Sequence, residues 1–221
     1  MFVVSSVLLG LWVVSSGFIL DPSDDFSFSF AAASERVSYR LMRVDHVAGL
    51  LGERLDMFPK SQTKKLARHI VGLCRRYKFD PAFVLSVIEV ESSFRIKVVS
   101  SAGAVGLMQV MPATAQVVAD RYRIRYTGTR SLTDPFTNVS IGVAYLAHLR
   151  DLYRDLSPYF HVAAYNIGPA RLDELRVQRG FKPVKTKVYY QAIRNGVPYF
   201  RIAPAIRHDW RRRVADPDMV I

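Results

Sequence analysis

The stretch FDPAFVLSVIEVESSF, residues 79–94, decides how this chain is read. Asp80 followed by Pro81 marks a helix start. The aspartate can accept from an orphan backbone N–H, and proline brings the φ of a first helical residue with no N–H to lose. From Pro81 to about Ser93 the pattern is one helix without an interior breaker. Glu89 and Glu91 lie two positions apart in it, and at about 100° per residue they point nearly opposite ways. With Glu91 at the origin of a helical wheel, Val84, Val87 and Ile88 fall within about 60° of it. Glu91 therefore continues the apolar face, whereas Glu89 falls with Ala82 and Ser86 and reads as a solvated acid. A carboxyl where an apolar stripe enters the core is held in its neutral form and its pKa rises. Such a group suits general-acid work near neutral pH. The same position also suits an ion pair with one of the many arginines, and periodicity alone names no reaction.

Outward from this helix the patterning stays helical. Upstream, VDHVAGLLGERLDMF places Val47, Leu50, Leu51 and Leu55 at apolar spacing. SQTKKLARHIVGLCRRYKF, with Ser61 as N-cap, carries Leu66, Ile70, Leu73 and Tyr77 on one face. Downstream, a glycine-bearing loop precedes a helix opened by Pro112. Asp134 caps LTDPFTNVSIGVAYLAHLRDLY, which runs through Ile141, Ala144, Tyr145, Leu146 and Leu149. YFHVAAYNIGPARL breaks at Gly168-Pro169, and KTKVYYQAIRNGV adds a last helix. No alternation long enough for a good strand occurs, so the expected fold class is mostly α with short loops between helices.

The chain has 221 residues, enough for one sizeable domain but hardly for two. Hydrophobic residues make up 50 %, which excludes a disordered chain, and the net charge of +12 predicts attraction to something anionic. Nucleic acid, acidic lipid and an acidic wall polymer all meet that description. The single cysteine, Cys74, has no partner for an intrachain disulfide and reads as a buried hydrophobe. Residues 2–20 carry no charge, a run about long enough to cross a bilayer as a helix and at the upper end for a signal-peptide core. They are expected to act as an export signal, cleaved or kept as a membrane anchor. The expected organisation is 1–20 signal or anchor, 21–60 linker and N-terminal helical segment, 61–200 catalytic domain, and 201–221 basic tail containing RHDWRRR.

Read together, ESSF, then VSSAGAVGLMQVMPATA, DPFTNVSIGVAYL and AAYNIGPARL, in that order, resemble the soluble-lytic-transglycosylase domain of the lysozyme-like superfamily. The resemblance runs from about Tyr77 to about Val197. It implies a lysozyme-like helical domain that cleaves peptidoglycan between N-acetylmuramic acid and N-acetylglucosamine without water, leaving a 1,6-anhydro-muramoyl end. Position by position, it places the catalytic acid on Glu91, followed by Ser92, and implies Ser92, Gln109, Met111, Tyr165, Asn166 and Tyr189 as substrate-binding residues. The GLMQ segment falls on Gly106, Leu107, Met108 and Gln109. Gln109 and Met111 match positions lining the glycan groove. Ala164, Tyr165, Asn166 and Gly168 carry the motif whose tyrosine and asparagine lie near the acid, and a late-helix tyrosine falls on Tyr189.

The chemistry has a physical reason. Glycosides are commonly cleaved by two carboxylates, and here a single well-placed acid stands out, so the substrate's N-acetyl and C6 hydroxyl would supply the rest. Gly103 and Gly106 are expected to let a backbone turn approach the sugars. On residue type alone Met108 and Met111 suit core filling, and Asp134 suits a helix cap better than a second carboxylate. Two departures from the family pattern stand out: Ile96 where proline is common, and Lys185 where glutamate usually precedes the threonine. The expected partners are peptidoglycan glycan strands, envelope machinery and, through residues 2–20, a membrane; no cofactor, metal or nucleic acid is expected. The place of action is then the periplasm or cell envelope. A water-using muramidase and a non-catalytic wall-binding or envelope-assembly protein are the competing readings.

Overall fold

The computed structural model describes residues 44–55, 58–177 and 184–201. Among these residues the chain is helical, with two isolated antiparallel bridges, Val99 to Val105 and Val105 to Val110, as the β-like pairing. The helices are α1 (Val44–Arg54), α2 (Lys60–Tyr77), α3 (Pro81–Ser92), α4 (Pro112–Tyr122), α5 (Pro135–Leu152), α6 (Tyr159–Ile167), α7 (Pro169–Arg176) and α8 (Val184–Arg201), with a 3-10 turn at Thr129–Thr133. The mostly α fold class is what the patterning predicts. The 2–20 segment and the basic tail lie outside the described residues. Among the described residues no helix is long and apolar enough to cross a membrane.

Local signals set several of the helix starts. Asp80 accepts from the Ala82 N–H at 2.8 Å and Asp134 from the Thr137 N–H at 2.8 Å, each with proline in the first helical position. Helix α2 departs from the expected start. Its cap is Pro59, whose carbonyl accepts from the Gln62 and Thr63 N–H groups, and Ser61 lies inside the first turn. Its apolar face buries Leu66, Ala67, Ile70, Val71 and Cys74 against α1 and α5.

Helix α3 is buried on nearly every side, with Pro81, Ala82, Val84, Leu85, Ser86, Val87 and Ile88 all inside. Its main partner is α8, and three contacts fix their relation. Arg201 pairs with Asp80, a Cβ added at Gly196 would lie 2.9 Å from the Ser86 hydroxyl, and Tyr189 reaches Glu91. As α3 is followed from residue 80 to 91, its partners run from 201 back to 189, so the two helices are antiparallel. The absent side chain at Gly196 lets their backbones come close enough for Tyr189 to meet the end of α3.

The 98–111 loop is fastened to α5 by one buried residue, Asn138. Its Oδ1 accepts from the Met108 N–H at 2.8 Å, while its Nδ2 donates to the carbonyls of Val105 at 2.8 Å and Leu132 at 3.0 Å. Gly106, at φ +80, leaves the room this requires: a Cβ there would lie 2.4 Å from Asn138 Nδ2 and 2.6 Å from the Leu132 carbonyl oxygen. The glycine therefore admits an inward asparagine, where the sequence suggested an approach to sugar. Asn138→Ala would leave one donor and two acceptors buried without this partner, a cost of about 3 kcal/mol or more. Urea unfolding of the variant should show that loss with an unchanged m-value.

Candidate active site

Glu91 stands on the last turn of α3, half-buried, where the helix gives way to two left-handed residues, Ser93 (φ 49°) and Phe94 (φ 61°). Burial pushes its carboxyl pKa up to about 7, and a hydrogen bond donated by the Tyr189 hydroxyl to Oε1 acts in the opposite direction. The direction is the one the helical wheel predicts: desolvation disfavours the carboxylate, and a donor aimed at it partly restores the balance. Glu91 thus titrates close to neutral pH, able to give a proton and to hold the resulting charge.

One phenol donates to this carboxyl and a second lies near enough to feel its charge. Tyr189 comes from α8. Tyr165, on the last turn of α6, donates its hydroxyl to the Met108 carbonyl at 2.7 Å, and its ring lies 5.4 Å from that of Tyr145. Both phenols are held well above their ordinary pKa, first by burial and next by the nearby Glu91 charge, so both stay protonated when Glu91 ionises. Met108 is the hinge of this arrangement. Its N–H is gripped by Asn138 and its carbonyl takes Tyr165, so α5 places the loop and the loop places the tyrosine.

The other residues singled out by sequence are distributed unevenly. Met108 is fully buried, and Met111 is 40 % exposed at the start of α4, so the two methionines separate into core and rim. Gln109 adopts φ 47°, and its side-chain amide donates to the Gly106 carbonyl at 2.9 Å and the Val98 carbonyl at 3.3 Å, bracing the loop from within. Ser92, expected to bind substrate, is buried instead, its hydroxyl donated back to the Ile88 carbonyl at 3.1 Å within the helix. Asn166 is exposed beside Tyr165. Lys185 falls in the first turn of α8, and its side chain lies outside the described part of the structure. Its neighbour Thr186 is buried and hydrogen-bonded to the Tyr159 hydroxyl.

One expectation is corrected. Glu89 is an ion-paired acid, 2.5 Å from the Arg54 guanidinium, with side chains only 15 % and 7 % exposed. The wheel assumed one buried face, but α3 is buried on nearly every side, and Arg54 at the end of α1 reaches Glu89 on the side away from Glu91. Asn138 is the residue that sequence reasoning missed. Its signal was available: a polar residue at i−3 from Ile141 and i−4 from Gly142, on the buried stripe of α5. Asp134 caps α5, its Oδ2 also accepting from the Thr137 hydroxyl at 2.8 Å. Among the described residues no group of three histidine, cysteine, aspartate or glutamate side chains gathers as a metal site would require.

The chain is 33 % identical over 128 residues to the soluble lytic murein transglycosylase of Escherichia coli, a match covering 57 % of this chain and 19 % of that one. It is 38 % identical over 102 residues to the membrane-bound lytic murein transglycosylase C of Haemophilus influenzae, covering 42 % and 29 % respectively. The chain thus spans less than a third of either relative's length. A solved lytic transglycosylase Slt from Pseudomonas aeruginosa superposes with a TM-score of 0.48 at 21 % identity, over 80 % of this chain and 32 % of that one. The model of the transglycosylase SLT domain matches residues 72–187, more than half the chain, from within α2 to the first turn of α8. The chain belongs to the transglycosylase SLT domain family.

Proposed function

We propose that this protein is a peptidoglycan lytic transglycosylase that uses Glu91 as its one acid and base, with residues 61–200 as its catalytic domain. The observation that carries the reading is a carboxyl poised near pH 7 by burial, with a phenol donating to it and a second phenol nearby. In the first step Glu91 gives its proton to the glycosidic oxygen as the bond to C1 of N-acetylmuramic acid breaks. The electron pair leaves with the N-acetylglucosamine 4-oxygen. The positive C1 is stabilised by the sugar's own N-acetyl oxygen. In the second step the C6 hydroxyl attacks C1 and its proton returns to Glu91, closing the 1,6-anhydro ring and restoring the acid. No water enters.

Each property of the site serves one of these steps. Desolvation keeps Glu91 protonated before the first step, and the Tyr189 hydroxyl stabilises the carboxylate that exists between the two. Tyr165, Asn166, Gln109 and Met111 are the residues we assign to the glycan. An attacker already attached to the reacting ring acts at an effective concentration that can reach about 10⁵ M or more for well-oriented groups, so water should lose the competition. Residues 2–20 would carry the domain out of the cytoplasm to the wall, and the net charge of +12 would favour a substrate rich in carboxylates.

Digestion of purified sacculi in ¹⁸O-labelled water tests the reaction. The released muropeptides should end in 1,6-anhydro-muramic acid without label, and labelled reducing ends would make the protein a muramidase. Glu91→Gln should lose about 10³-fold or more in kcat while remaining folded by circular dichroism. Activity should fall as pH climbs through about 7, because the protonated form of Glu91 performs the first step. In Tyr189→Phe the carboxylate loses a donor, so the limb should move to higher pH and kcat should drop at every pH. A limb moving to lower pH would contradict the role given to Tyr189.

A further inference from the structure

Arg54 ends α1, well before the residues that match the family model, yet it reaches both sides of the Glu91 turn. Its guanidinium pairs with Glu89 at 2.5 Å, two residues before Glu91. It also lies over the ring of Phe94, three residues after Glu91, at 5.6 Å, and over that of Phe200 on α8 at 5.8 Å. The two rings meet edge to face at 6.0 Å, and the Phe200 carbonyl lies 3.0 Å from His46 of the same α1. Glu89 is fixed at its backbone as well, its carbonyl accepting from the Ser93 N–H at 2.9 Å.

The turn so enclosed is an uncommon one. Ser93 and Phe94 both have φ in the left-handed region, where side-chain-bearing residues are disfavoured. Two such residues in succession persist only when their surroundings over-determine them. Phe94, 2 % exposed between Arg54 and Phe200, is the anchor that does so. We propose that Arg54 is a positioning residue for the reaction, bracketing Glu91 by its grip on Glu89 and Phe94 and so aiming the carboxyl at Tyr189 and the substrate. This rests on Glu91 being the acid. It makes α1 part of the working enzyme.

A purely structural ion pair and a positioning one differ in what their loss changes. Removing Arg54 alone leaves Glu89 without its buried partner, so a loss of stability would be ambiguous. The double substitution Arg54→Met/Glu89→Gln removes both charges together and keeps most of the volume. The titratable groups facing Glu91 stay in place: Tyr189 from α8 and Tyr165 from α6.

The experiment uses the full chain with Arg54→Lys, Arg54→Met and the double variant, acting on purified glycan strands. In the double variant kcat should fall about tenfold or more with KM within about twofold, since a displacement of about 1 Å at the reacting group is enough for that. Its alkaline limb should also move below the wild-type position, because lost desolvation, the larger influence on Glu91, outweighs the upward shift from a weakened Tyr189 hydrogen bond. Arg54→Lys should recover part of kcat relative to Arg54→Met. Wild-type kcat and limb in the double variant, whatever its thermal stability, would overturn the proposal. Should the wild-type chain leave glycan uncut, the reading of the reaction fails, and amide hydrogen exchange then decides on the bracket. The Ser93 and Arg95 amides should exchange about tenfold or more faster in the double variant, with α5 unaffected, and unchanged exchange there would refute it.

Discussion

Helix α3 is held at both ends by charges from elements that are distant in sequence. Asp80, at its start, accepts from the Ala82 N–H and pairs with Arg201, and Glu89, near its end, pairs with Arg54. Such pairs are poor stabilisers when weighed against apolar replacements, because each ion loses its water, but breaking one is costly and the geometry they allow is narrow. That narrowness suits a helix whose last turn carries Glu91. A slide of α3 along α8 by one turn, about 5.4 Å, would separate Asp80 from Arg201 and Glu91 from Tyr189 together.

The site then follows from two opposed terms at one carboxyl. Burial favours the neutral form of Glu91 and the Tyr189 hydroxyl favours the charged form, and the balance falls near neutral pH. Neither term alone would suffice for the proposed role, in which Glu91 both releases and recovers a proton. A fully desolvated carboxyl would not let go, and a well-solvated one would be ionised before substrate arrived. The phenols complete the surroundings without competing for the proton, since burial and the Glu91 charge keep both protonated. The route by which Tyr165 is placed runs through backbone: Asn138 holds the Met108 N–H and Tyr165 takes the Met108 carbonyl.

The sequence was most informative where the physics is local. Asp80-Pro81, Pro112 and Asp134-Pro135 mark helix starts, and Gly168-Pro169 a helix break, because capping and φ restriction act within a few residues; that a further helix begins at Pro169 was not read. The apolar setting of Glu91 was legible for the same reason, as a matter of spacing on one helix. What was not legible depends on partners far away in the chain. Glu89 looked solvated because Arg54 stands 35 residues upstream and nothing in either neighbourhood announces the pair. Gly106 looked like a loop glycine facing ligand, yet its space is taken by Asn138, a residue whose polarity on a buried stripe was the sole clue. Ser61 shows the limit even of local signals: a good capping residue lost to Pro59, two positions earlier, whose carbonyl starts α2.

The central claim is that one carboxyl, poised near neutrality by its surroundings, serves as both acid and base. Its most direct test is the ¹³C chemical-shift titration of the Glu91 side-chain carboxyl in the full chain, followed from pH 4 to 9 without substrate. The account predicts a midpoint close to 7, well separated from those of the exposed carboxylates in the same spectrum. A midpoint at the ordinary glutamate value of about 4.3 would contradict it. Glu91 would then be ionised under working conditions and unable to protonate a leaving oxygen.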